Sequence, residues 1–377
     1  MELNTMKELD PFDPQQQIGL LIDNKYKLSK ILGEGSFAVV FLAKHIVSKV
    51  PFAVKCLYRK GLSENQKKLQ MEEVQLMLAV NHHPNIVHLH AVIETNYHLY
   101  LVMDYCATDL FDYIINHPLD EVHVRKLFNE IVEAVSECHE HGIYHRDLKP
   151  ENILLVNKKG PVKLTDFGLA TKDVLSSDYG CGSVCYMSPE NRTTKSGTCS
   201  PYLPAANDVW SLGVILINLL TGKNPWHKPS KKDSHFRCHI LSTFAQDSFQ
   251  VKFGFSLSLC QVLRKVFSLD PHSRPTPKQF SMMLENVEEL FCHSIPTVKH
   301  NTLVSSTYDF TKMKNQLPCS VTPQNIVYPH TPLNGETLHS IEEFWPDFTQ
   351  RSVNLEHVDS LETISSHSSE TQFKLDL

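Results

Sequence analysis

Two short runs hold the residues best suited to chemistry: His145-Arg146-Asp147-Leu148-Lys149-Pro150-Glu151-Asn152 and, further on, Asp166-Phe167-Gly168. They offer a carboxylate able to accept a hydroxyl proton (Asp147) and an ammonium able to neutralise a phosphate (Lys149). They also offer two hard oxygen donors of the kind Mg2+ takes, Asn152 and Asp166. That is the equipment of phosphoryl transfer, a reaction that needs little covalent help but much positioning and charge neutralisation. Asp147 is the candidate base, Lys149 the candidate γ-phosphate partner, and Asn152 and Asp166 the candidate metal ligands.

A second group lies upstream. Leu32-Gly33-Glu34-Gly35-Ser36-Phe37-Ala38-Val39-Val40 falls between two predicted strands. Glycines there let a hairpin pass close over a polyphosphate and aim backbone N–H groups at it. Ala38 stands where the full G-x-G-x-x-G pattern has its last glycine, and alone the stretch reads equally well as an ordinary glycine-rich hairpin. Lys55 ends the apolar run Phe52-Ala53-Val54-Lys55. Alone it would be a surface lysine on an edge strand; in a phosphate site it needs a carboxylate partner. The helix predicted over residues 62–80 supplies Glu73, with Glu72 as the alternative. Each motif by itself could arise by chance. Their joint order and spacing, closed by Ser188-Pro189-Glu190, points to one site.

The elements that must position these residues follow from periodicity. Residues 26–32, 38–44 and 52–57 read as strands, separated by turn formers. The helix over 62–80 places Leu69, Val74, Met77 and Leu78 at helical spacing, and Pro84 bars its continuation. Strands are predicted over 86–93 and 99–103, then helices over 122–141, 209–221 and 258–267. The fold class is therefore α+β, a small β-rich unit with one main helix followed by a larger helical unit. Residues 1–25 read as a loosely held extension and 26–292 as the globular part. Residues 293–377, rich in Ser and Thr with 10 Asp/Glu against 5 Lys/Arg from 294 on, read as a disordered acidic tail.

The chain has 377 residues and a formal net charge of −6. It has no strongly basic segment, which argues against nucleic acid or an anionic membrane as partner. The longest apolar run, 214–220, contains Asn218 and is too short to span a bilayer. Ten irregularly spaced cysteines read as reduced thiols, and the opening residues carry neither a basic region nor an apolar run. A cytoplasmic and/or nuclear location is expected. The 21 histidines show no metal-ligand spacing. Cys181 and Cys185 are read as packing residues in preference to a redox switch or half a zinc site. In the tail, Phe344-Trp345-Pro346-Asp347-Phe348 is a candidate docking motif for the domain or a regulatory protein, against unselected aromatics in a floppy segment. Thr322 and Thr331, each before a proline, are candidate acceptors for proline-directed kinases or mere turn formers.

Taken together, the motifs resemble the eukaryotic protein kinases over about residues 26–292. The resemblance implies a two-lobed fold and ATP with Mg2+ as cofactors. Val40, Ala53 and Leu154 would sandwich adenine, with Met103 as gatekeeper and Asp104 and Cys106 pairing their backbone with the base. Met77, Leu89, His145 and Phe167 would form a regulatory stack, Asp208 would tie down the His145-Arg146 backbone, and Glu190 would pair with Arg274. Lys149 and Ser183 resemble the serine/threonine branch. Gly180-Cys181-Gly182-Ser183, the stretch from Asn207 to Leu219 and Asn224-Pro225-Trp226 resemble a fungal group that includes the fission-yeast negative regulator of sexual conjugation and meiosis. The implied function is phosphorylation of Ser/Thr on protein substrates in fungal nutrient or meiotic signalling. A pseudokinase would lack Lys55, Asp147, Asn152 or Asp166, and a small-molecule phosphotransferase would not need the Ser188-Pro189-Glu190 and Arg274 segments. In register with the family, the usual activating phosphate position is Tyr179, so Asp178 is expected to supply standing charge to Arg146, with Ser176 or Ser177 as the alternative. Glu151 and Asp109 are expected to select Arg three residues before the acceptor, and Val184 and Met187 an apolar residue just after it.

Overall fold

The structure is a computed structural model that describes residues 13–35, 38–157, 160–192, 201–241 and 247–292. It begins with a single-turn helix, α1 (Pro14–Gln17), and a two-residue strand, β1 (Leu21–Ile22). A loosely held extension was expected here, but residues 13–25 are anchored. Asp13 caps α1, β1 pairs antiparallel with the next strand, and Gln17 and Ile22 are buried. The anchor is polar, with Gln17 meeting His98 at 3.4 Å and Cys56 at 3.6 Å, so no apolar pattern announces it.

The strands β2 (Tyr26–Glu34), β3 (Ala38–His45), β4 (Pro51–Tyr58), β5 (Leu89–Glu94) and β6 (His98–Asp104) complete a six-stranded antiparallel sheet. The order is β1-β2-β3-β4-β6-β5. Side chains alternate between faces, as the pleat requires. Leu28, Val39, Phe41, Val54 and Val102 form a cluster on one face. On the other, Leu57, Leu89, Leu101 and Met103 join Val74, Leu76 and Met77 of α2 (Glu64–Ala79) in the main core. Ser63 and Gln66 form a reciprocal capping box that starts α2. Leu69, expected on the buried stripe, points outward and is 63% exposed. The strand expected from 86 begins at Leu89, because Asn85 and Val87, on either side of Ile86, bond instead to Leu164 of the helical lobe.

Beyond β7 (Thr108–Asp109) the chain is mainly helical. α3 (Leu110–Asn116) and α4 (Glu121–Glu140) precede β8 (Ile153–Leu155) and β9 (Val162–Leu164), which with β7 make a small antiparallel sheet. α5 (Pro204–Thr221), α6 (Ser234–Phe236), α7 (Ser248–Phe253), α8 (Leu257–Val266) and α9 (Pro277–Glu285) follow. α5 starts five residues earlier than expected, with Pro204 at its first position, where the missing N–H costs nothing. It is buried almost all round and forms the centre of this lobe, with Trp210 packed on Trp226 and Phe267 at centroid distances of 5.5 and 5.0 Å. The two-lobed α+β architecture expected from the sequence is the one the chain adopts. No helix among the described residues is long and apolar enough to cross a membrane.

Gly213 marks how closely α5 is packed. A Cβ there would lie 2.6 Å from Val266 Cγ1 and 2.8 Å from Phe267 Cε1, and both side chains are buried in the core. Gly213→Ala should therefore destabilise the domain by about 1–3 kcal/mol through overpacking, despite alanine's better helix propensity. A thermal melt in which this variant is as stable as the parent would show that the core yields at no cost.

Candidate active site

The glycine-rich turn joins β2 to β3, with Gly33 paired to Val40, Glu34 to Val39, and Gly35 N–H donating to Ala38 O at 2.9 Å. Ser36 and Phe37 lie outside the described residues. Val39 does not face the cleft with its neighbour. Its side chain is packed with Phe41 and Val54 on the opposite face of the sheet, so at most its backbone can serve a ligand. Val40 pairs with Lys55 across β3–β4, and Ala53 with Met103 across β4–β6. Leu154 lies opposite Asp109 on β8, in the other lobe.

Lys55 joins three elements. Its Nζ donates to Glu73 Oε1 of α2 at 2.6 Å and to Asp166 Oδ1 at 2.8 Å. Glu73 is buried, whereas Glu72 points to solvent. Burial works against the Lys55 charge, but the two carboxylates outweigh it, Asp166 most, and the ammonium's pKa is raised. About half of the Asp166 side chain is reachable by solvent, yet the charge of Lys55 holds its carboxyl down at about 2. Asp166 adopts φ 66°, the left-handed region unusual for a residue with a side chain. Gly168 lies beside both carboxylates, where a Cβ would make ordinary contacts with Asp166 Oδ1 at 3.4 Å and Glu73 Oε2 at 3.6 Å.

Across the cleft, Lys149 Nζ donates to Asp147 Oδ2 at 2.7 Å and to Ser183 Oγ at 3.1 Å. Asn152 Nδ2 donates to the Asp147 backbone oxygen at 2.9 Å and to Oδ2 at 3.3 Å, leaving its own amide oxygen for another partner. Asp147 Oδ1 is buried with no hydrogen-bond partner among the described residues, an expensive arrangement that suits an acceptor for a ligand hydroxyl. Gly182 passes directly beside this carboxylate. It holds φ 98°, and a Cβ on it would collide with Arg146 O.

The loop carrying Asp147 is held from beneath by α5. Asp208 accepts from the backbone N–H groups of His145 and Arg146, both at 2.8 Å, and its Oδ2 also meets His139 Nε2 at 2.9 Å. Phe167 packs on His145 at 5.3 Å, and Met77, Leu89, His145 and Phe167 are all buried. Arg146 Nη1 donates to Asp178 Oδ2 at 3.0 Å and to Ser176 Oγ at 3.2 Å. Tyr202, which the sequence reading missed, is brought close to Arg146 by a bridge between Ser176 and Tyr202. Arg274 grips Glu190 with two hydrogen bonds, at 2.5 and 2.9 Å.

Asp104 accepts from His88 N–H and meets His90 at 2.7 Å and Lys163 at 2.9 Å, so its side chain fixes the inter-lobe strand, and its own N–H donates to His88 O at 3.1 Å. Burial pushes the Cys106 and Cys185 thiols up to about 11, and raises Cys181 as well. Thiols held in that form pack and do not act as ready nucleophiles.

A model of the family described as "Protein kinase domain" matches residues 26–285. The "Negative regulator of sexual conjugation and meiosis" of Schizosaccharomyces pombe is 37% identical over 318 residues, covering 78% of this chain and 66% of that protein. "Serine/threonine-protein kinase ksp1" of the same yeast is 35% identical over 275 residues, 69% of this chain and 56% of that one. The human "SNF-related serine/threonine-protein kinase" is 40% identical over 254 residues, 66% of this chain and 32% of that one. The chain thus spans at most 66% of the length of these relatives. Since the family match starts at β2, crosses both lobes and ends in α9, this chain belongs to the protein kinase family.

Proposed function

We propose that the chain is a serine/threonine protein kinase that transfers the γ-phosphoryl group of ATP to protein hydroxyls. The observation that carries this reading is the unpartnered Asp147 Oδ1, beside Lys149 and Ser183 and across from the Lys55–Glu73–Asp166 ion cluster. Asp147 would orient the acceptor hydroxyl and take its proton, and Lys149 would neutralise charge on the transferred group. Lys55 would hold the other phosphates, fixed in place by Glu73. Asn152 and Asp166 present the amide and carboxylate oxygens that fit Mg2+, and a bound Mg2+ would neutralise phosphate charge. Val40, Ala53 and Leu154 would enclose adenine, with the Asp104 and Cys106 backbone as its polar edge.

The presence of Lys55, Asp147, Asn152 and Asp166, engaged as a Lys55–Asp166 pair and an Asn152–Asp147 pair, supports catalysis over a scaffold role. Lys149 bonded to Ser183 supports Ser/Thr acceptors. The name of the fission-yeast relative, a negative regulator of sexual conjugation and meiosis, supports a place in meiotic control. The proposed docking motif at 344–348 lies outside the described residues, as do Thr322 and Thr331.

Asp147→Asn and Asp166→Asn should each lower kcat for peptide phosphorylation by about 100-fold or more while leaving a folded, cooperatively melting domain. Labelled ATP and a degenerate peptide library give the readout, and undiminished turnover in either variant would contradict its assignment.

The Arg146–Asp178 pair supports a standing charge in the activation segment. Burial opposes the Arg146 charge, and Asp178, the strongest of several groups that favour it, helps hold the guanidinium's pKa up. Phosphatase treatment should leave activity largely intact, and Asp178→Ala should lower it several-fold. Inactivation by phosphatase that persists in Asp178→Ala would assign the role to Ser176 or Ser177.

For the substrate, Glu151 and Asp109 remain the proposed partners of an arginine three residues before the acceptor. Asp109 already caps α3, accepting from Asp112 N–H at 2.7 Å, so Glu151 should carry most of the selection. Partial desolvation, with the nearby Asp147 and Asp109 charges, raises the Glu151 carboxyl's pKa, which a guanidinium would reverse. On a peptide array, Glu151→Ala should reduce the preference for that arginine more than Asp109→Asn does; an undiminished preference in Glu151→Ala would remove the assignment.

A further inference from the structure

The segment between α2 and β5 is tied to the helical lobe along most of its length. Asn85 Nδ2 donates to Val162 O at 3.0 Å, and Val87 N–H donates to Leu164 O at 2.9 Å. Its exposed corner makes a contact of another kind. His82 Nε2 lies 2.9 Å from Glu137 Oε1 near the end of α4, and His141 Nδ1, at the helix cap, lies 3.1 Å from the same oxygen. The ligating atoms of all three side chains fall within 4.8 Å of one another. This is the one such group of three among the described residues.

Two features set this cluster apart from an ordinary surface ion pair. Both imidazoles converge on one carboxylate oxygen, with ring centroids 5.7 Å apart. A neutral imidazole has a lone pair to offer a metal. The spacing also suits one. Ligands 2.0–2.1 Å from a tetrahedral zinc ion stand about 3.3 Å apart, a few tenths of an ångström more than the two distances to Oε1. His141 Nδ1 is shared with the Glu137 backbone oxygen at 3.0 Å, so a proton on Nδ1 satisfies one oxygen at a time. A cation at the centre would satisfy the carboxylate and both nitrogens together. The Glu137 side chain is 17% exposed against 65% for His82, leaving an outer position open to water.

We infer that His82, Glu137 and His141 form a binding site for a divalent transition metal of the zinc class, which pins the corner after α2 to the end of α4. Two nitrogens and one carboxylate suit zinc better than Mg2+ or Ca2+, which prefer all-oxygen shells. The sequence conceals the site because His82 is 55 residues from Glu137, and the i,i+4 pair on α4 supplies only two ligands. Because α2 carries Glu73, the metal would restrain the helix whose position sets the Lys55 contact.

The full chain, stripped with a chelator, is titrated with zinc chloride by calorimetry in excess Mg2+ and ADP to occupy the Asp166 site. One zinc per chain is expected, with His82→Ala and His141→Ala each weakening binding by at least about tenfold, as loss of a ligand should. Affinity should also fall as pH drops through the imidazole range, since protons compete for the nitrogens. Amide exchange in residues 80–88 should slow with zinc. Absence of saturable binding, or binding unchanged in the His82→Ala/His141→Ala double variant, would overturn the site and show the triad to be hydrogen-bonded only. Bound zinc with unchanged exchange would overturn the tether. None of these variants touches the phosphate cleft, so each outcome is independent of the proposed kinase activity.

Discussion

Everything about the cleft depends on one ammonium ion. Lys55 sits at the meeting point of β4, α2 and the loop carrying Asp166, and its charge survives burial only because Glu73 and Asp166 both face it. Removing water from such a group costs several kcal/mol, so the arrangement is poorly explained as a source of stability. It is better explained as a constraint on position. α2 must lie where Glu73 reaches Lys55, and the Asp166 segment must turn through a left-handed backbone to bring its carboxylate to the same point. A shift in either element strands a charge.

The opposite wall is built on a second buried group with the reverse polarity. Asp208 lies fully buried in α5 and spends its oxygens on the N–H groups of His145 and Arg146 and on His139. That fixes the backbone just before Asp147. From there, Asn152 and Lys149 restrict one carboxylate oxygen and leave Oδ1 without a partner. The free acceptor is therefore a consequence of the packing of α5, whose burial is in turn enforced by Trp210, Val266 and Phe267. Stability of the helical lobe and geometry of the cleft are the same fact seen at two distances.

Much of this was legible in the sequence because the motifs are local and chemically specific. The choice of Glu73 over Glu72 follows from helix register, since Val74 and Met77 must face the core and Glu72 then faces water. Where the sequence reading fell short, the reason was long-range. Alternation on β3 separates Val40 from Val39, whose side chain packs on the far face of the sheet and leaves its backbone for the glycine-rich turn. Gln17 gave no signal because its role depends on His98 and Cys56, distant in sequence. Leu69 fits a helical period but lies beyond the reach of the sheet. Tyr202 and the His82–Glu137–His141 group exist only as tertiary arrangements.

The central claim is that Lys55 and Glu73 act as one unit in organising the phosphate end of the cleft. A double-mutant cycle on kcat/KM for peptide phosphorylation, using Lys55→Met, Glu73→Gln and the two combined, tests it most directly. If the pair is a unit, the double variant loses no more activity than the worse single one, because the second substitution has nothing left to break. If the losses multiply, the two residues act independently and the account of the cleft is wrong.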